Sequence, residues 1–174
     1  MSKTQRYLYF AYGANLNIEQ MTKERCRGAQ PIGKAVLPGY TLEFRRCADV
    51  TKGSNTDKAY GGLWLINQFD LAALDRFEGY PRLYTRQVLR VSLLDVFEGA
   101  PAPATREDIP AIVYLMTPAK LAPPTLGYLG TIIRGYEDFG LELAQLNRAR
   151  VRAAREGARC QRSAMPFSTS RGMR

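Results

Sequence analysis

Gly33-Lys34-Ala35-Val36-Leu37-Pro38-Gly39-Tyr40-Thr41-Leu42-Glu43-Phe44 is the stretch on which the fold turns. Two strand-like runs, 33–37 and 40–44, are parted only by the Pro38-Gly39 turn. So short a connection suits antiparallel neighbours, because a parallel pair needs a crossover of about a dozen residues or more. Outward from there, further strand candidates fall at 7–12, 59–66, 85–93 and 110–116, mostly β-branched or aromatic and bounded by Gly, Pro or Asn. Helix candidates lie at 18–27, 70–77, 126–139 and 141–157. Strands outnumber helices in the middle of the chain. The expectation is therefore an α+β fold, a small mixed and largely antiparallel sheet curling into a β-barrel with flanking helices, and not a doubly wound parallel sheet. Residues 98–109, with Pro101 and Pro103 among small residues, read as a solvated loop.

A chain of 174 residues suits one domain, and 45% hydrophobic residues exclude disorder over most of it. The formal charge of +9 is uneven. Arg148, Arg150, Arg152, Arg155, Arg159, Arg162, Arg171 and Arg174 face the single acid Glu156 after residue 144, which puts +7 in that segment and leaves +2 for the rest. The expected organisation is a folded unit over 1–144 and a basic C-terminal helix and tail over 145–174, with Arg148, Arg152, Arg155 and Arg159 at helical spacing. The default reading of that segment is a solvated helix running into a frayed end. Its rival is a surface for nucleic acid or an acidic partner.

No apolar run is long enough to span a bilayer, and the N-terminus lacks the apolar stretch of a signal peptide, so the expected location is the cytoplasm and no membrane partner is expected. Cys26, Cys47 and Cys160 are odd in number and widely spaced, which fits reduced thiols better than a disulfide framework or a zinc site. The chain has no histidine. That excludes Ser-His-Asp triads, Cys–His nucleophiles and His-metal sites, and no metal is expected.

Tyr9-Phe10-Ala11-Tyr12-Gly13-Ala14-Asn15 runs a buried-strand pattern into a glycine turn and then a helix start. Asn17, with Gln20 three residues later, has the signature of a capping box, which makes the turn rigid and holds its backbone N–H groups open to a ligand. Gly13 can take a positive φ and bring the main chain close to a bound group. A second motif is Asn67-Gln68-Phe69-Asp70-Leu71-Ala72-Ala73-Leu74-Asp75-Arg76-Phe77-Glu78-Gly79-Tyr80-Pro81, capped by Asn67 and Asp70 and stopped by Gly79 and Pro81. Leu71, Leu74, Asp75 and Glu78 share one helical stripe, so Glu78 faces the core. The negative end of the helix dipole and the apolar surface of Leu74, Phe77 and Tyr80 would both push its carboxyl toward neutrality, as an acid–base catalyst requires. The structural alternative is a surface carboxylate, or a pair with Arg82 or Arg86; position on the apolar stripe favours function.

Other residues read as ordinary structure. Trp64 belongs to the core behind Gly61 and Gly62, Arg45 and Arg46 read as a solvated strand end with lining a cavity and meeting a carboxylate as the alternative, and Arg86 and Arg90 share the outward face of a strand with Val88. Lys52-Gly53-Ser54-Asn55 is a loop without the glycine spacing of a phosphate-binding P-loop.

Two later stretches, Tyr114-Leu115-Met116-Thr117 and Ala122-Pro123-Pro124-Thr125-Leu126-Gly127-Tyr128-Leu129 continuing to Leu141, complete a pattern with the turn at 9–15 and the helix end at 74–79. In that order the motifs make the chain resemble the γ-glutamylcyclotransferase superfamily over roughly residues 7–150. The YFAYG-type turn, the helix end and the Tyr114–Tyr128 region look most like the γ-glutamyl-amino-acid branch. The run 74–78 with Pro81-Arg82-Leu83-Tyr84-Thr85-Arg86 and 88–91 is similar to the γ-glutamylamine branch instead, so both leaving groups stay open. The resemblance implies a barrel with a cavity at its mouth, no cofactor, a small-molecule γ-glutamyl substrate, and release of 5-oxoproline. It matches Glu78 to the catalytic glutamate, Tyr9, Phe10, Ala11, Tyr12, Gly13 and Ala14 to the substrate-binding turn extending to Asn15, and Tyr128 to a substrate-contacting tyrosine. Many relatives carry serine at the position of Ala14. If that hydroxyl bonds the substrate, its loss costs on the order of 1 kcal/mol; if only the backbone N–H is used, nothing is lost. The rival from another class is a non-catalytic binding module on the same fold, reaching nucleic acid or an acidic partner through its basic tail.

Overall fold

The structure, a computed structural model, describes residues 4–163 and the side chains of 4–159. The side chains of Cys160, Arg162, Arg171 and Arg174, on which part of the tail reading rests, lie outside the described residues. Among the described residues seven strands form: β1 Arg6–Ala11, β2 Gln30–Pro38, β3 Tyr40–Arg45, β4 Cys47–Lys52, β5 Lys58–Asn67, β6 Tyr84–Leu93 and β7 Ile109–Met116. Five of them close a barrel in the order β1-β5-β2-β6-β7. Every pairing is antiparallel except the closure, where β1 meets β7 in parallel with Tyr9 opposite Ile112. The α+β barrel expected from the strand pattern is present, with helices α1 Ile18–Gln20, α2 Gln68–Phe77, α3 Leu126–Asp138 and α4 Ala144–Ser163 around it.

Pro38-Gly39 is not a hairpin. Both edges of β2 are taken, by β5 and β6, so β3 has no edge of β2 to pair with. At Gly39, φ is 74°, and the chain leaves the barrel to form a separate two-stranded sheet with β4. Hydrogen bonds from Gly39 N to the Asp57 carbonyl (2.8 Å) and from Gly53 N to the Gly39 carbonyl (2.8 Å) close the base of this excursion. Strand β4 is absent from the sequence expectations because Cys47-Ala48-Asp49-Val50-Thr51-Lys52 has an aspartate at its centre, a residue depleted in strands. Asp49 is tolerated because it is partnered: it accepts from Arg45 Nε (3.1 Å) and from the Met116 backbone N–H (2.9 Å), pinning the hairpin to the end of β7. Arg45 is therefore no solvated strand end; it pairs with both Glu43 and Asp49.

Trp64 is fully buried in β5 and meets Phe139 from the end of α3 at 5.5 Å between ring centroids. A Cβ on Gly62 would lie 2.3 Å from the Phe139 ring, so this glycine is what lets α3 press onto the barrel. Helix α4 starts at Ala144 and not at 141, since Leu141 N closes α3 by bonding the Tyr136 carbonyl (2.8 Å). Leu146, Ala149 and Ala153 of α4 are buried while Arg148, Arg155 and Arg159 are exposed, and Arg152 reaches back to the Leu42 carbonyl (3.2 Å) and to Glu43 (4.0 Å). The helix is thus half embedded, with Arg148, Arg155 and Arg159 on its exposed side. No described helix is long and apolar enough to cross a membrane.

Candidate active site

The cavity opens where the end of β1, the end of α2, the β3–β4 turn and the start of α3 converge. Its volume of about 140 Å³ is roughly ten times what one water needs, so it has room for a small molecule. Beyond β1 the chain makes a 3₁₀ turn, Ala14–Leu16. The opening amides of such a turn have no intrahelical acceptor. Gly13 adopts φ −122°, outside the left-handed region, and its glycine identity has another cause. A Cβ there would stand 3.0 Å from the Ala48 Cβ and 3.4 Å from the Tyr128 hydroxyl, so its absence lets the turn, the β3–β4 hairpin and α3 meet around the cavity.

Asn17 caps the following helix through Oδ1, accepting from Gln20 N at 2.9 Å. The reciprocal half of the box does not form, and Gln20 Oε1 is buried without a partner. Helical spacing predicts a helix over 18–27, but α1 passes into a π-helical turn, Met21–Arg25, closed by Cys26 N on the Met21 carbonyl (2.7 Å). The wider turn swings Arg25 toward the cavity, where its guanidinium donates to Asn15 Oδ1.

Helix α2 is fixed at both ends. Asn67 and Asp70 form a complete capping box, and Asp70 also accepts from Gly28 N at 3.1 Å. At the other end Tyr80 N reaches the Asp75 carbonyl (2.9 Å) and Gly79 N the Arg76 carbonyl (3.3 Å), with Gly79 at φ 63°. This is a Schellman closure, and it places Glu78 at the C-cap with its side chain turned into the cavity.

Glu78 Oε1 accepts from Asn15 Nδ2 at 2.7 Å, and Oε2 has no hydrogen-bond partner among the described residues. Burial pushes the Glu78 carboxyl above its ordinary value, while the Asn15 hydrogen bond and the charge of Arg25 pull partly against that shift. The surroundings differ from those expected. Phe77 and Tyr80 are 56% and 39% exposed, and the wall beside Glu78 is made of buried tyrosines. Neither Arg82 nor Arg86 pairs with it; Arg86 binds Asp75 at 3.2 Å and lies over the Tyr80 ring.

Five tyrosines line the cavity and divide into two groups by where their protons go. Tyr12 donates to the Tyr114 carbonyl (2.6 Å), Tyr84 to the Ala48 carbonyl (2.7 Å) and Tyr114 to Asp75 Oδ1 (2.7 Å). Tyr9 instead accepts from Asn15 Nδ2 (2.7 Å) and Tyr128 from the Ala48 N–H (3.1 Å). Neither donates to a protein acceptor among the described residues, so each keeps a proton for a ligand. Burial raises both hydroxyls, Tyr128 to about 12, so both stay protonated at neutral pH.

Of the residues singled out from sequence, Tyr9, Tyr12, Gly13, Ala14, Asn15, Glu78 and Tyr128 share this cavity wall. Phe10 and Ala11 do not. Both are fully buried against β5, the Phe10 ring and the Ala11 carbonyl filling the space a Gly61 Cβ would need. Arg25, Cys47, Tyr84 and Tyr114 line the cavity although none was given a site role from sequence: Arg25 lies behind a π-turn that helical spacing cannot reveal, and Tyr84 and Tyr114, though inside quoted motifs, look like strand packing. Burial raises the Cys47 thiol, which leaves it protonated. No group of three or more His, Cys, Asp or Glu that could hold a metal is found among the described residues.

Comparisons with known proteins agree with this fold. The profile of the family described as "Gamma-glutamyl cyclotransferase, AIG2-like" matches residues 9–129. A human protein named gamma-glutamylcyclotransferase is 29% identical over 150 residues, covering 80% of this chain and 74% of its own length. Among solved structures, a gamma-glutamyl cyclotransferase superposes with a TM-score of 0.67 at 23% identity, covering 97% of this chain and 93% of that one. An AIG2-like protein from Mus musculus gives 0.52 at 19% identity, covering 72% and 83%. At those identities the two structures speak to the fold alone. The family profile spans more than half of the chain and takes in both the turn at 9–15 and Glu78, and the chain belongs to the gamma-glutamyl cyclotransferase, AIG2-like family.

Proposed function

We propose that this protein is a γ-glutamyl cyclotransferase that releases 5-oxoproline from a γ-glutamyl amino acid or a γ-glutamylamine, with Glu78 as general base and then general acid. The observation that carries the reading is a partly buried carboxylate on the wall of a cavity, held by Asn15 through one oxygen and unpartnered among the described residues at the other. The substrate supplies its own nucleophile. Its α-amine attacks the γ-carbonyl, the new C–N bond closes a five-membered ring, and the old amide C–N bond breaks. The reaction is an acyl transfer from the leaving amine to the substrate's own amine, without water or a covalent enzyme intermediate. Turning the α-ammonium into the ring amide sheds two protons and releasing the leaving group as an ammonium takes up two; Glu78 relays them one at a time, as base and then as acid, so the carboxylate is regenerated each turn.

The remaining work is positioning. Holding a glutamyl chain curled for ring closure is where well-oriented intramolecular reactions gain most of their rate. The amides opening the 3₁₀ turn and the spare hydroxyl protons of Tyr9 and Tyr128 are the donors available to the α-carboxylate or the developing oxyanion. Ala14 stands on the same wall, so the missing hydroxyl falls where a ligand would meet it. The test is incubation of the protein with a panel of γ-glutamyl amino acids and γ-glutamylamines, following 5-oxoproline. Turnover of at least one compound is expected, and turnover of none would overturn the assignment.

A further inference from the structure

The cavity grades from a buried floor to an exposed lip. Tyr9, Asn15 and Tyr114 form its floor and are all at most 5% exposed, whereas Phe77 and Leu83 on its lip are 56% and 47% exposed. Arg25 belongs to the lip, its guanidinium carbon 5.4 Å from the centre of the Phe77 ring. It is the one cation on the cavity wall among the described residues. One of its N–H groups goes to Asn15 Oδ1, and no carboxylate pairs with it among the described residues. A guanidinium has five N–H donors in a planar fork shaped for a carboxylate, so most of its capacity is uncommitted. The Asn15 amide stands between this cation and Glu78.

Ring closure requires the glutamyl half of the substrate to sit curled on the enclosed floor. The leaving half then faces the lip, through which it departs. Glu78 protonates the leaving nitrogen, Arg25 is one amide group away from Glu78, and in an amino acid the carboxylate is two bonds from that nitrogen. The geometry points to Arg25, Phe77 and Leu83 as a leaving-group subsite that selects amino acids with a free carboxylate and an apolar side chain over amines without one. This inference rests on the γ-glutamyl reading above.

The experiment compares kcat/KM for 5-oxoproline release from γ-glutamylphenylalanine, its C-terminal amide, γ-glutamylphenethylamine and γ-glutamylglycine, using wild type, Arg25→Met and Arg25→Lys. The acid is expected to exceed its amide and the amine by about tenfold in wild type, as loss of a charge-assisted pair implies. That ratio falls to near one in Arg25→Met and recovers in part in Arg25→Lys; being internal to each variant, it is unaffected by how much of the variant folds. Equal rates on acid and amide in wild type overturn the subsite. So does an unchanged ratio in Arg25→Met, the result expected if Arg25 instead holds the glutamyl α-carboxylate common to every substrate. Glycine serving as well as phenylalanine overturns the apolar half. If no compound is turned over, the activity itself fails, and the subsite is judged by calorimetric binding to wild type: acid bound about tenfold tighter than amide supports it, and equal or undetectable binding of the acid overturns it.

Discussion

Asn15 has three polar functions, and each is committed. Arg25 can only donate, so Asn15 must turn Oδ1 toward it, and both protons of Nδ2 then go to Glu78 and Tyr9. That amide keeps a guanidinium from contacting Glu78 directly, which would hold the carboxylate far below neutrality. Because the Asn15 hydrogen bond lowers the Glu78 carboxyl, Asn15→Leu, which removes that bond but still fills the space between Arg25 and Glu78, is expected to move the acid limb of the kcat/KM profile to higher pH; a limb that stays or falls would contradict this. Burial has the opposite sign and a consequence for stability. The native carboxyl lies above the ordinary value of 4.5, so the folded state holds the proton more tightly than the unfolded chain. Stability from this group is whole below about that value and is lost as pH rises through the native one. Glu78→Gln is therefore expected to raise Tm at pH 7 and to lose that advantage near pH 4, as thermal unfolding at both pH values will show. The motif around Asn15 was legible in sequence as a turn. Its role as the spacer between Glu78 and Arg25 was not, because Arg25 reaches it only through a change of helical pitch.

Helix α2 shows how much one element can declare in advance. Its start was written in Asn67 and Asp70, its stop in Gly79, and both set the position of Glu78. Asn67→Ala removes the acceptor for the Phe69 and Asp70 amides and is expected to cost about 1 kcal/mol, seen as a Tm lower by roughly 2–4 °C. An unchanged Tm would contradict the cap's contribution. The β3–β4 hairpin shows the opposite. Pro38-Gly39 carries a hairpin's signature but turns the chain out of the barrel, since occupancy of the two edges of β2 is a property of the whole sheet and not of the local sequence. Asp49 hides a strand for a similar reason: its partners, Arg45 and Met116, are supplied partly from a strand far along the chain.

At the scale of the molecule, the barrel was legible because most strands keep their own composition, and the cavity only through the resemblance, because it is made where four connections meet. Of the basic residues after 144, Arg148, Arg155 and Arg159 lie exposed on α4 while Arg152 ties it to β3, and Leu146, Ala149 and Ala153 fasten that helix to the body. The architecture therefore brings one partly buried carboxylate, two spare hydroxyl protons and a turn of open amides to one small cavity. All of this bears on one claim, that Glu78 moves the protons of ring closure. Release of 5-oxoproline from the best γ-glutamyl substrate, measured side by side for wild type and Glu78→Gln, tests it most directly. The account predicts a kcat lower by about 10²-fold or more in the folded variant, and equal turnover by the two proteins would contradict it.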